Sequence, residues 1–379
     1  MRIPHFILFL LLNIFLCACT KQDVEPAQTS RTVMVYMAGN NSLSAFAFEN
    51  LNQMEEGFKD IDGKFIVYAR IFGQLPTLYE IQHDQDPNKV NSKILKTYQN
   101  HDSSDPDVMK MIFSDMKSLA PAKSYGAILW SHATNWAPAA SPSNEIKTRS
   151  FGDDDFSHMD IQDLSWALPT DLDFLIFDAC LMASVEVLYE LRNQSPYILA
   201  SPTEVLDEGM PYQKITPWLF SKEIQPALIQ IAQQNIAYYK QKSGLEQSAS
   251  YAVIVTKKLN QLAIATKKLL SSHNSIIPEI DRDKLQRMDF DPSTPIVAYD
   301  YLDFIEQNFP KNALAEIQEI LPELIIYKAH TNSFLGKPIE KFSGLSCYVP
   351  NESEAKKYQD FYQSLAWAQQ AAYMQLFYW

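Results

Sequence analysis

Between Thr32 and Ala38 the chain is almost unbroken in its apolar character: Thr32-Val33-Met34-Val35-Tyr36-Met37-Ala38. Without polar alternation, such a run predicts a strand buried on both faces, as in parallel sheets. Turn residues follow at 39–44, and helical spacing of apolar positions covers 45–58. The same reading gives strands at 64–70, 125–130, 172–177 and 197–200, with a short antiparallel extension at 78–82. Helices are expected at 105–118, capped by Ser104 or Asp105 with acidic residues in the first turn, and at 164–168. Strands that alternate with helices predict an α/β domain with a mostly parallel sheet covered on both sides. After Tyr212 the pattern becomes more helical: 222–240, 259–272, 297–308, 313–327 and 354–376, interrupted by strands at 248–255 and 344–349. No internal repeat or low-complexity tract is present. Residues 31–215 therefore read as the core, and 216–379 as a helix-rich extension completing the same domain.

Composition narrows the partners. The chain has 379 residues, 46% hydrophobic and 20% charged, with a formal charge of −13. An acidic balance argues against nucleic acid, which needs a basic surface, and is compatible with basic peptides. The first residues form a targeting segment: Arg2, then an apolar run from Phe6 to Leu16 that is too short to span a bilayer stably. Leu16-Cys17-Ala18-Cys19 resembles the bacterial lipoprotein box. That resemblance implies removal of residues 1–18, acylation of Cys19, a tether over 19–30 and a bilayer as partner, at the outer membrane or cell surface. Cys17 would leave with the signal, so Cys180 and Cys347 remain in the body. Cys347 lies in a strand-like run and reads as a small buried hydrophobe.

The chemistry gathers at two strand ends. Leu175-Ile176-Phe177-Asp178 leads into Ala179-Cys180, and a helical pattern resumes at Ser184. Open α/β sheets bind ligands at the carboxyl ends of their strands, and a helix N-terminus there would favour a thiolate. The strand 125–130 ends in Ser131-His132, 48 residues before Cys180. A thiol with an imidazole that can take its proton and return it to a leaving amine is the minimum equipment of a cysteine peptidase. The amides of Ala133 and Cys180 could receive the developing oxyanion if the two strands are neighbours. Either residue alone would more often be structural; the pairing carries the reading.

Four segments resemble the clostripain family of cysteine peptidases: Val35 to Ser44, Leu129-Trp130-Ser131-His132, Asp178 to Ala183 with Glu186, and Gly209-Met210-Pro211-Tyr212. Gly344 to Pro350 matches more weakly. The resemblance implies a caspase-like fold: a mostly parallel central sheet flanked by helices, with a helix-rich C-terminal part. It also implies His132 and Cys180 as catalytic residues and cleavage after Arg or Lys. Asp178 and Glu208 match the acidic positions of the specificity pocket, against the alternatives of a helix cap and a solvated loop charge. Residues 137–150 read as an exposed loop between the two catalytic strands; Lys147 and Arg149 within it are candidate self-cleavage sites, as related peptidases mature by a cut there.

Departures from the family pattern bear on the site. Ala133 stands where the family usually has Gly, which restricts the backbone beside the histidine. Ser201-Pro202-Thr203-Glu204 is less acidic than its family counterpart. Family members can depend on calcium; Asp153-Asp154-Asp155 offers oxygen ligands, but an acidic surface loop is the favoured reading, and no cofactor is required. The alternative function is an inactive lipoprotein of this fold that binds peptides or a protein partner. A metal-dependent hydrolase is disfavoured, since His83, His101, His132 and His158 lack metal-ligand spacing such as H-E-x-x-H.

Overall fold

The computed structural model describes residues 28–138, 150–273, 280–290, 298–350 and 358–377. Cys19, Lys147 and Arg149, singled out above, lie outside these residues.

The central strands are β1 (Thr32–Gly39), β2 (Lys64–Ile71), β5 (Tyr125–Trp130), β8 (Phe174–Asp178) and β9 (Tyr197–Ala200). β3 (Thr77–Glu80) and β4 (Lys93–Thr97) lie at one end of the sheet, β10 (Ser250–Val255) and β12 (Ile325–His330) at the other. They form one nine-stranded sheet in the order β12-β10-β9-β8-β5-β1-β2-β3-β4. The centre, from β9 to β2, is parallel, and both ends are antiparallel.

Both faces of the sheet are covered, which explains why β1 is apolar throughout. Successive side chains point to opposite faces. Met34, Tyr36 and Ala38 enter one core, with Met109, Phe113 and Leu164 from α2 (Pro106–Leu119) and α3 (Ile161–Ala167). Val33, Val35 and Met37 enter the other, with Leu51 and Ile231 from α1 (Ser44–Gly57) and α6 (Ile224–Lys240). Asp105 caps α2, accepting from the amides of Asp107 and Val108. At the β5–β8 pairing Gly126 lies opposite Phe174. A Cβ on Gly126 would sit 2.0 Å from that ring, so only glycine lets the two strands meet there.

The C-terminal part differs most from the sequence expectation. The helix expected over 313–327 ends early, as α9 (Ala315–Leu324), and the chain turns into the edge strand β12. Pro322 removes a helical donor, and β-branched Ile325 and Ile326 favour pairing with β10. The expected helix at 297–308 begins as a strand, β11 (Ala298–Asp300), and continues as α8 (Tyr301–Asn308). β11 pairs with β15 (Ser346–Tyr348), within the expected strand at 344–349. β4 gave no alternating signal because, like β12, it is a partly exposed edge carrying lysines. The acidic run at 153–155 belongs to a hairpin of β6 (Phe151–Asp154) and β7 (Ser157–Met159).

Candidate active site

Strand pairing brings the two candidate side chains together. β5 and β8 are parallel, with Trp130 opposite Asp178. His132 and Cys180 each stand two residues past that pair, and both line one small recess. The recess holds only about 20 Å³ and is shared with Leu43, Trp130, Asp178, Val205, Asp207 and Gly209.

The cysteine turn is tight. Leu181, just after Cys180, has φ +62°, a left-handed conformation that disfavours a bulky residue and is found at functional turns. The amides of Leu181 and Ala183 donate to Thr203 O and Ser201 O, each at 3.0 Å, which tie the turn to the segment after β9. The expectation of a helix N-terminus at the thiol is corrected. The following helix, α4 (Val185–Glu190), starts five residues later and is capped by Ser184. The α4 N-terminus therefore does not support a thiolate. Instead the sulfur is packed against Val205, whose amide donates to Sγ at 3.3 Å and whose carbonyl accepts from it at 3.5 Å. Burial pushes the thiol up to about 12, and the charges of Glu204, Asp207 and Asp178 add to the rise.

His132 is held from two sides. Its backbone carbonyl accepts from the Gly152 amide at 3.0 Å, and Ala133 bridges Phe151. Its Nε2 lies 2.9 Å from Ser42 Oγ. Ser42 comes from the turn after β1, inside the first motif, but nothing in the sequence marked it as a partner of the histidine. Ala133 itself is buried in the core.

Asp178 lies on the recess wall and is buried. Its Oδ2 accepts from the Met210 amide and the Tyr212 hydroxyl, both at 2.9 Å. Its Oδ1 is buried without a hydrogen-bond partner. Desolvation outweighs those two bonds and pushes the carboxyl up to about 6. Gly209 adopts φ +67°, and a Cβ there would stand 2.7 Å from Asp178 Oδ2, so a side chain would displace the carboxylate. Glu208 is placed elsewhere. Its carboxylate receives the Lys242 ammonium at 2.8 Å and the Tyr238 hydroxyl at 2.9 Å, so it faces α6 rather than the recess. Asp207, its neighbour, lines the recess instead.

The 205–212 segment is latched at several points. Asn50 Nδ2 donates to Glu208 O at 3.1 Å while Asn50 Oδ1 accepts from Trp130 Nε1 at 2.8 Å. The Tyr239 hydroxyl donates to Gly209 O at 2.5 Å. A buried asparagine on the apolar side of α1 was a legible signal that sequence reading passed over.

The acidic triplet is dispersed. Asp154 accepts from the amide and hydroxyl of Ser103 at 2.6 and 2.8 Å, faces Arg70 Nε at 3.4 Å and is bonded by Asn40. Asp153 Oδ1 accepts from the Phe156 amide, and Asp155 is exposed. Among the described residues no three His, Cys, Asp or Glu side chains gather to hold a metal ion. Cys347 is buried and free, as is Cys180's thiol of any disulfide. No helix among the described residues is long and apolar enough to cross a membrane.

Residues 35–379 match the model of the clostripain family, peptidase family C11. Clostripain of Hathewaya histolytica is 24% identical over 216 residues, 48% of this chain and 41% of its own length. The chain thus spans less than half of that relative. An inactive zymogen C11 protease from Parabacteroides distasonis superposes with a TM-score of 0.79 at 30% identity, covering 92% of this chain and 99% of the other. A secreted C11 cysteine protease from Bacteroides thetaiotaomicron, solved with an irreversible peptide inhibitor, gives 0.77 at 31% identity over 91% and 99%. With caspase-like architecture and a family match over nearly its full length, the chain belongs to the clostripain family of cysteine endopeptidases.

Proposed function

We propose that the chain is an exported, lipid-anchored endopeptidase that cleaves after Arg or Lys, with Cys180 as nucleophile and His132 as its base. The observation that carries this reading is the in-register pairing of β5 and β8, which sets both side chains on one recess. Cys180 Sγ attacks the scissile carbonyl carbon and gives up its proton to His132. The C–N bond then breaks as His132 hands that proton to the amine, leaving a thioester that water hydrolyses. The amides of Ala133 and Cys180 would receive the oxyanion. Asp178 supplies the carboxylate for a basic side chain. Glu208, occupied by Lys242, would reach that side chain only if the 205–212 segment rearranges. Hydrolysis of Arg- and Lys-ending fluorogenic peptides by the wild type, set beside peptides ending in Leu or Asp, tests the reading. Equal rates on all four would refute the specificity.

The contacts at the thiol fit a latent form. A recess of about 20 Å³ is too small for an arginine side chain, and a thiol near 12 is almost wholly protonated at neutral pH. Activation then means moving Val205 to Gly209 off Cys180. We place the trigger in a cut after Lys147 or Arg149. The flanks of that segment stay anchored, because Ser150 Oγ bonds Ala137 O and Phe151 bridges Ala133. A nick between those flanks would therefore leave the sheet assembled. Wild type and Cys180→Ala incubated side by side are expected to differ, with fragments from the wild type alone. Fragments from both, or from neither, would exclude self-processing.

The lipid anchor rests on the Leu16-to-Cys19 box. Cys19→Ser is expected to release an unprocessed or soluble protein. An unmodified N-terminus elsewhere, found by mass spectrometry of the wild type, would contradict the anchor. Calcium is not needed for this chemistry; activity in excess chelator is expected to match that with added calcium.

A further inference from the structure

A second and much larger recess, about 840 Å³, opens next to Ser42. Its floor carries Asn40, Asn41 and Ser42 from the turn after β1. Its rim carries three large apolar side chains, Phe72 and Leu75 from the β2–β3 turn and Phe156 from the tip of the β6–β7 hairpin, and Asp153 and Asp155 line it beside them. The three apolar side chains are 74%, 54% and 82% exposed, which is unusual for large apolar side chains grouped together. Phe156 also adopts φ +69°, and Asp155 before it +51°. A tight hairpin turn of that kind favours Asn and Gly, so the aromatic ring is held on the rim against its local backbone preference. Under the rim lies Arg70, 7% exposed and fixed by Asp154 at 3.4 Å and by Gln74 O at 2.9 Å. The recess is thus a built feature with a buried charged wall.

Its position has a chemical meaning. In the sheet, β8, β5, β1 and β2 lie in that order, so Cys180, His132, Ser42 and Phe72 follow one another across the strand ends. A peptide bond cleaved here has its carbonyl carbon at Cys180 and its nitrogen at His132, which must protonate the departing amine. The chain beyond that nitrogen continues past His132 toward Ser42 and the rim. We infer that this recess is the leaving-side subsite and that it selects a large apolar residue within the first positions after the cleaved bond. This rests on the peptidase reading proposed above and adds the half of the substrate which that reading leaves open.

The subsite can be read apart from catalytic rate by partitioning the acyl-enzyme. In the reverse of amine release, an added amino-acid amide attacks the thioester carbonyl. The C–S bond breaks, a C–N bond forms, and the proton lost by the attacking nitrogen returns to the thiolate by way of His132. Water competes and gives the free acid. With a peptide ester ending in Arg as acyl donor and processed enzyme, Phe and Leu amides are expected to be captured roughly tenfold or more better than Asp or Gly amides, as burial of one such side chain implies. Phe72→Ala and Phe156→Ala are each expected to bring that ratio down toward one. Equal capture of all four amides by the wild type, or a ratio untouched by both variants, would overturn the subsite while leaving the peptidase reading intact. No release of acid or amide from the ester would overturn the peptidase reading and the subsite with it.

Discussion

Cys180→Ala is expected to abolish peptide hydrolysis, with a loss of at least about 10⁴-fold, while the protein stays folded. His132→Ala is expected to lose about 10²–10⁴-fold, the usual worth of a positioned proton carrier. The two losses should not add. Without the imidazole no side chain takes the thiol proton or returns it to the amine, and without the sulfur there is nothing to attack, so the chemistry is disabled in both variants by different routes. Stability should change little. Cys180 sits at a turn fixed by backbone bonds from Leu181 and Ala183, and His132 by the backbone bond from Gly152. Kinetics with an Arg-ending peptide, accompanied by thermal melts, checks this. Near-normal turnover by either folded variant would remove its residue from the mechanism.

The second large effect concerns Asp178. Its carboxyl is raised to about 6 by burial, so the free enzyme holds it largely neutral below pH 5 and ionised above pH 7. Only the ionised form can pair with a guanidinium. For Arg-ending peptides kcat/KM is therefore expected to rise with pH through about 6, and Asp178→Asn should remove that rise. The variant should lose up to a few kcal/mol of preference for basic over neutral side chains. Stability should move the other way. A raised carboxyl contributes stability that is fully present below its unfolded value, near 3.9, and lost as pH climbs through its folded value. For a shift from 3.8 to about 6 the loss above pH 7 is roughly 3 kcal/mol. Asp178→Asn escapes it, and is expected to unfold at higher urea than wild type at pH 8 but at similar urea near pH 3. An unchanged pH profile on basic substrates would detach Asp178 from specificity. The stability comparison separates that failure from a simple folding defect.

The parallel centre of the sheet was legible because its strands are buried on both faces. β1, β5, β8 and β9 read as near-continuous apolar runs, and each emerges at nearly the expected residues. Strand ends can then be located to within a residue or two, which is how His132 and Cys180 could be singled out. Legibility failed where burial is partial or the partner is remote. β12 carries a helical pattern into a strand because the edge it completes is fixed by β10, some 75 residues earlier in the chain. The β6–β7 hairpin was hidden because Gly152-Asp153-Asp154-Asp155 spells an exposed loop, yet Asp154 is buried against Ser103 and Arg70. The closed thiol was not legible at all. It depends on Val205 folding back over Cys180, a contact between two loops that no periodicity encodes. Glu208 shows the same limit: one position decides whether a carboxylate lines the recess or binds α6, and only the turn geometry at Asp207 and Glu208 makes that choice.

On the reading proposed above, Cys180 is the nucleophile, capped by Val205 in the resting protein and uncovered on activation. Its most direct test is the alkylation rate of Cys180 by iodoacetamide at pH 7.5, followed by peptide mapping, before and after processing of the 139–149 segment. In the resting protein a thiol near 12 should react roughly three orders of magnitude more slowly than a free cysteine, whose pKa is about 8.5. Processing should raise the rate to at least that of free cysteine, the gain should require His132, and Cys347 should stay unlabelled throughout. Labelling of Cys180 at the same rate before and after processing, in protein that gains activity, would contradict the account.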